Sequence, residues 1–269
     1  MRVTQIWRFP VKSMGGEMLL DAEVTDLGIA GDRGWSIFDV ETGNTLTGRR
    51  APELLFASAR IVDGELVITL PDGREIGEDA HDEVSHWLGR SVEIRSAGEH
   101  SLEVGGTYEA PLDVERDADW VSWQGPGGAF HDSGRTRVSI VSVPTLRDWD
   151  RRRFRTNVIV DEAGEDDLVG RRIALGEARV DVVKQIDRCV MVTRPQAGLD
   201  RALEVLTTIN TERDTFLGVG GIVVEPGIIA VGASVTVLAD RSPSPPSHAA
   251  TTIPADPATS PPSPLGDRT

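Results

Sequence analysis

One thiol exists in the 269 residues, Cys189, and its surroundings are the first chemistry the chain offers. It stands in the stretch 182–195, VVKQIDRCVMVTRP, with Asp187 and Arg188 before it and Arg194 after it. The reactive form of cysteine is the thiolate, and neighbouring arginines favour that form. A thiolate is also a soft ligand for a soft or high-valent metal. The apolar run Cys189-Val190-Met191-Val192 equally suits a buried cysteine packed as a small hydrophobe. These residues alone leave both readings open. Metal sites ordinarily show several ligands in a recognisable spacing, and His81, His86, His100 and His248 show none.

Basic residues are a minority, 28 Lys and Arg against 43 Asp and Glu, so where they gather carries information. Lys12-Ser13 follows the first strand-like run, Arg33 opens another, and Arg49-Arg50 lies in a turn. Arg151-Arg152-Arg153 and Arg155 come just before Asn157. Charge combined with directional N–H and hydroxyl donors is what phosphate recognition requires. For any single cluster, a solvated face or pairing with the surplus carboxylates is the plainer account. His131-Asp132 is a pair capable of acid–base work, although no serine-nucleophile motif accompanies it. Glu165-Asp166-Asp167 suits a divalent cation, a base or a solvated loop.

The net charge of −15 argues against nonspecific binding to nucleic acid or to an anionic membrane. A single cysteine excludes an intramolecular disulfide, a thiolate-held iron–sulfur cluster and a CxxCH haem attachment. Electron-transfer chemistry therefore needs a donor on another chain. No window approaches the ~20 apolar residues of a membrane span, and the N-terminus has no signal-peptide core. The expectation is a soluble, cytoplasmic protein.

The elements that must position these residues read mainly as β. Val3–Arg8, Met18–Thr25, Trp35–Val40, Leu54–Val62 and Leu66–Leu70 are short strand-like runs separated by turn signals. Asp63-Gly64 predicts a hairpin. Asp79–Leu88 predicts a helix with Val84, Trp87 and Leu88 on one face, followed by a strand at Ser91–Arg95. A second β-rich half runs from Arg137, with strands expected at 137–141, 157–161, 172–175, 178–184, 190–193, 221–224 and 233–238. Short helices are expected at Pro144–Trp149 and Leu199–Leu206. The glycines at 218, 220 and 221 precede a strand rather than opening a helix, so they make no nucleotide fingerprint. The fold class expected is β-barrel-like, with two β-rich domains (1–96 and 97–240) and a few short helices. Residues 241–269 hold 8 of the 16 prolines and no aromatic residue, which predicts a disordered tail.

An ordered string of short pieces is similar to the MOSC family, named for the C-terminal domain of molybdenum-cofactor sulfurases. Specifically, it resembles the architecture with an N-terminal MOSC β-barrel domain. The pieces are Pro10-Val11-Lys12-Ser13; Leu27-Gly28 to Asp32-Arg33, then Trp35; Thr47-Gly48-Arg49; Ser142-Val143-Pro144-Thr145-Leu146; Arg153-Phe154-Arg155-Thr156-Asn157; Glu165-Asp166; Arg188-Cys189; and Pro226-Gly227 to Val231-Gly232. The resemblance covers residues 1–239.

It implies a molybdenum cofactor (molybdopterin) with Cys189 as thiolate ligand to the metal. Lys12, Ser13 and Arg33 would contact the pterin or its phosphate. Ser142, Thr145, Arg155, Asn157 and Arg188 would line the pocket. Asp132 would lie near the metal, and Asp132 or Asp187 would deliver protons. The reaction implied is reduction of small N-oxygenated compounds such as hydroxylamines or amidoximes, with electrons from a separate ferredoxin- or flavin-type reductase. Two other readings stand beside it: a carrier that holds the cofactor without turnover, and sulfur transfer through a Cys189 persulfide. The domain-level association with pyridoxal phosphate would require a Schiff-base lysine, and neither Lys12 nor Lys184 has a distinctive setting for one. Three positions depart from the family pattern: Asp187 where amidoxime-reducing relatives carry Ser, Asp167-Leu168 where many carry Trp, and Thr156 where Pro is common.

Overall fold

The computed structural model describes residues 1–98, 107–109, 120–122 and 127–240. The predicted tail at 241–269 and most of the acidic, glycine-rich link lie outside the described residues. In chain order the strands are β1 (Val3–Arg8), β2 (Glu17–Leu19), β3 (Asp21–Thr25), β4 (Gly28–Ile29), β5 (Trp35–Asp39), β6 (Ser58–Val62), β7 (Glu65–Thr69), β8 (Glu75–Ile76), β9 (Val92–Ser96), β10 (Thr107–Glu109), β11 (Trp120–Ser122), β12 (Val138–Ser142), β13 (Val158–Val160), β14 (Arg171–Leu175), β15 (Ala178–Asp187), β16 (Phe216–Glu225), β17 (Gly227–Ala230) and β18 (Val235–Asp240). The helices are α1 (His81–Leu88), α2 (Val143–Leu146) and α3 (Leu203–Arg213). The molecule is mainly β, as the patterning predicts.

The N-terminal body is built from β5 paired with β9, the β6–β7–β8 sheet, and α1. β6 and β7 form the predicted hairpin: Val62 faces Glu65 across Asp63-Gly64. Both turn residues have positive φ, 51° and 89°, as the turn type matching strand twist demands. α1 ends on Gly89 in the left-handed conformation and buries Val84. Its partners in the core are Ile37, Leu54, Ile68 and Ile94.

The second body is an eight-stranded sheet in the order β18-β14-β15-β16-β12-β13-β1-β2. It recruits the start of the chain: β1 pairs antiparallel with β13, Val3 opposite Val160. Likewise β3 pairs with β17, Asp21 opposite Ala230. Val3, Ile6 and Val24 therefore share one core with Val138, Ile173 and Val219. The loop between β1 and β2, which carries Lys12-Ser13, is anchored at both ends in this sheet and bridges to the N-terminal body at Val11–Trp35 and Gly15–Ser58.

Four local expectations are corrected. The start of the run Leu54–Val62 is not strand: Pro52–Phe56 forms a 3₁₀ turn with Pro at its first position, burying Leu54 and Leu55. Val190–Thr193 is likewise a 3₁₀ turn rather than a strand. There the Thr193 hydroxyl donates to the Val190 carbonyl at 2.8 Å, a local bond that competes with sheet pairing. The turn also buries Val192 beside Phe154 and Ile209. The helix expected at Leu199–Leu206 begins at Leu203 and runs to Arg213, after the Ala202 amide bonds the Thr193 carbonyl at 2.9 Å. Gly218, Gly220 and Gly221 lie inside β16 instead of ahead of it. A Cβ on Gly218 would come within 2.7 Å of the Ile140 carbonyl, so neighbouring backbone takes that space.

Candidate functional site

A cavity of about 870 Å³ opens between the loops of the two bodies. Lys12, Ser13, Arg33 and the turn 47–49 line one side of it. Residues 131–134, Arg155, Asn157 and the end of β15 through Cys189 line the other. Seven Lys and Arg side chains reach its wall, against two carboxylates, Asp132 and Asp187. In a chain of net charge −15 this is a concentrated reversal of sign.

The loop after β1 leaves the sheet through Ser13, whose φ is 69°. Its Oγ accepts the Gly48 amide at 3.0 Å, fastening the loop to the 47–49 turn. Arg33 and Arg155 also take positive φ, 54° and 50°. Non-glycine residues in this region cost about 1–3 kcal/mol each and concentrate at functional sites. Three such residues line one cavity, and the sequence expected all three there. Arg33 bonds the buried carboxylate of Asp32 and donates to the Arg155 carbonyl at 3.3 Å. Arg155 donates to the carbonyls of Met14 and Val11. Both guanidiniums also lie over the Phe9 ring, 5.5 and 4.6 Å from its centroid.

Burial pushes Arg155 down to about 9, with repulsion from Arg33 adding to it. Burial likewise pushes Arg188 down to about 10. Both stay cationic at neutral pH, and their charges are held at an electrostatic cost that an anion in the cavity would offset. Lys12 donates to the Phe130 carbonyl at 3.1 Å and pairs with Asp132. Desolvation would raise the Asp132 carboxyl, but the Lys12 ammonium, its hydrogen bond and then Arg33 outweigh that and hold it at about 2. The Asp132 side chain faces the open cavity rather than packed protein, so the Lys12 contact decides the direction. His131 turns the other way and is buried, its Nε2 3.0 Å from the Leu27 carbonyl. Burial and then Arg33 lower it to about 4, so it is neutral near pH 7.

Cys189 is partly exposed and begins the 3₁₀ turn 190–193. That turn docks on the N-terminal body at two points. Arg194 donates to the Arg49 carbonyl at 3.2 Å. Met191 lies against Gly48, where an added Cβ would come within 2.5 Å of the Met191 methyl. Arg188 is committed to the scaffold: it donates to the Leu217 carbonyl at 2.9 Å, the Phe154 carbonyl at 2.8 Å and the Thr156 hydroxyl at 3.4 Å. Asn157 stitches β12 to β1, accepting from the Ser139 hydroxyl at 2.8 Å and donating to the Trp7 carbonyl at 3.3 Å.

The structure brings nine of the residues named from the sequence to one cavity: Lys12, Ser13, Arg33, Asp132, Arg155, Asn157, Asp187, Arg188 and Cys189. Ser142 and Thr145 are not among its lining. Ser142 caps α2, its Oγ accepting the Thr145 amide at 3.2 Å and donating to the Thr145 hydroxyl at 2.9 Å. The Ser-x-x-Thr spacing is therefore a helix-cap signal. The cavity is also lined by Lys184, weighed in the sequence only as a Schiff-base lysine, by Met191, read only as part of an apolar run, and by Arg49, counted among the basic clusters but not assigned to the pocket. Glu165 supplies no surface cation site: it is buried and accepts the Ser142 amide at 3.2 Å.

Two β-rich bodies with a cationic cavity between them and a cysteine on its wall are the class these elements define. The chain belongs to the MOSC family: residues 1–101 match the MOSC N-terminal beta barrel domain and residues 133–236 the MOSC domain. It is 23% identical to mitochondrial amidoxime-reducing component 1 of Mus musculus, over 78% of this chain and 71% of that protein. Against mitochondrial amidoxime reducing component 2 of Bos taurus the identity is 25%, over 78% of this chain and 72% of that protein. Molybdenum cofactor sulfurase of Drosophila persimilis is 24% identical over 70% of this chain but only 26% of that protein. Among the described residues no helix is long and apolar enough to cross a membrane.

Proposed function

We propose that the chain is a molybdenum-cofactor-dependent reductase of small N-oxygenated compounds, such as hydroxylamines and amidoximes, served by a separate electron-donor protein. The observation that carries this reading is the cavity itself: a soft sulfur ligand and a cluster of cations share one cleft in an acidic chain. The donor set suits the cofactor in kind. Cys189 offers the thiolate a molybdenum centre takes. Lys12, Ser13, Arg33 and Arg155 offer charge and directional donors for a phosphate.

The cofactor, when bound, supplies the two-electron chemistry that removes the substrate oxygen as water. The protein binds, orients and excludes water. Arg33 and Arg155 are already fixed by hydrogen bonds and by Phe9, so little reorganisation accompanies anion binding. Asp132, held ionised by Lys12, carries no proton at neutral pH and serves as an acceptor rather than an acid. With one cysteine, the chain cannot hold an iron–sulfur relay of its own.

Metal analysis of the full chain from a host that makes the cofactor tests the reading. Stoichiometric molybdenum with turnover of a hydroxylamine supports it. Molybdenum without turnover, given a competent donor, favours a carrier. Absence of molybdenum with cyanide-releasable sulfur on Cys189 favours sulfur transfer. If Cys189→Ser kept both metal and activity, the proposal would fail.

A further inference from the structure

We propose that Asp187 is the specificity-determining carboxylate of this cavity. It receives the planar, N–H-bearing head of an amidine- or guanidine-type ligand, the reduced form of an N-oxygenated substrate, and Lys184 is the cation that head displaces. The proposal rests on the reductase reading for the fate of the N–O bond, while recognition itself is a binding property of this chain.

Of the cavity's two carboxylates, Asp132 is engaged by Lys12. Asp187 is also exposed, and its ion pair is the looser of the two. Its side chain is 67% exposed, and its Oδ1 meets Lys184 Nζ at 3.2 Å. Among the described residues no hydrogen-bond donor reaches its other oxygen. An ion pair this exposed is weak, so the cation exchanges readily.

The position suits recognition. Asp187 ends β15, and Cys189 is also extended, at φ −117° and ψ −178°. Two residues of chain separate them by at most about 7 Å along the backbone. Both line the cavity. Arg188, between them, sends its guanidinium to the Leu217 and Phe154 carbonyls. A head group on Asp187 therefore shares the cavity with the thiol. An ammonium offers a carboxylate a point charge, whereas an amidinium offers two parallel N–H donors that match both oxygens. The unpartnered oxygen of Asp187 is the second acceptor such a fork needs.

Calorimetric titration of the full chain, purified from a cofactor-making host and assayed for molybdenum, tests this with benzamidine and the neutral benzamide as probes. Asp187→Asn is expected to weaken benzamidine about tenfold, the scale of a lost charge-assisted hydrogen bond. Lys184→Met is expected to strengthen it several-fold, the opposite sign from structural damage. Benzamide should respond to neither change. The proposal is overturned if Asp187→Asn leaves benzamidine unchanged, if Lys184→Met weakens it, or if benzamide moves in parallel. A loaded protein that binds benzamidine through Asp187 yet reduces no benzamidoxime removes the reductase reading alone. Reduction with affinity indifferent to Asp187 removes the role of Asp187 alone.

Discussion

Arg33 donates from Nη2 to the carbonyl of Arg155 at 3.3 Å, joining two cationic residues 122 positions apart, both in left-handed backbone. The bond clamps the N-terminal body to the second body at the cavity wall. It also holds two guanidiniums near each other, with Asp32 as the adjacent counter-charge on Arg33. Such an arrangement is poised for an anion.

An anion in the cavity should therefore stabilise the fold by mass action. Millimolar pyrophosphate is expected to raise the thermal midpoint by about 2–4 °C, roughly 1 kcal/mol for a chain of this size. Arg33→Gln should remove most of that rise. Thermal denaturation followed by circular dichroism, with chloride at matched ionic strength as the control, checks it.

Asp132 competes with such an anion for Lys12. Asp132→Asn is expected to strengthen pyrophosphate binding several-fold at low salt, with the gain shrinking as ionic strength rises. Because the Asp132 carboxyl is held at about 2, the competition persists throughout the neutral range. Titration calorimetry at two salt concentrations measures both effects.

His131 makes the fold sensitive to acid. Its folded-state value, about 4, lies below the ordinary 6.5, so between these values the unfolded chain binds more protons. Its contribution is complete above about pH 6.5 and is lost as pH falls towards 4, by up to about 3 kcal/mol. His131→Gln keeps a donor for the Leu27 carbonyl and removes the titration. The difference in urea stability between the two proteins should therefore shift in favour of the variant as pH falls through this window.

Asn157→Ala should cost about 1–3 kcal/mol in urea unfolding, because it removes the buried acceptor of the Ser139 hydroxyl and the amide donor to the Trp7 carbonyl. Gly218→Ala should cost at least as much: its φ is 77° and the Ile140 carbonyl lies 2.7 Å from the added Cβ. That substitution also presses on the Arg188 guanidinium, 3.5 Å from the same Cβ. Under the proposed function, metal content should therefore fall with stability for Gly218→Ala, and measuring both on one preparation checks it.

What the sequence determined by itself was local or unique. β1 was legible to the residue because its pattern is carried within six positions. The Asp63-Gly64 hairpin was legible because the turn chemistry is local. Cys189 stood out as the one thiol, and the ordered Lys-Ser, Arg and Phe-Arg-Thr-Asn pieces pointed to a shared cavity. Tertiary structure decided the rest. Val190–Thr193 has the composition of a strand, but its own hydroxyl and burial beside α3 turn it into 3₁₀. Ser142 and Arg188 belong to equally suggestive pieces, yet one caps a helix and the other is spent on backbone carbonyls. A side chain's type says which bonds it can make. Which partner it reaches depends on backbone brought together across more than a hundred residues, as where Val3 meets Val160, and only the folded chain fixes that.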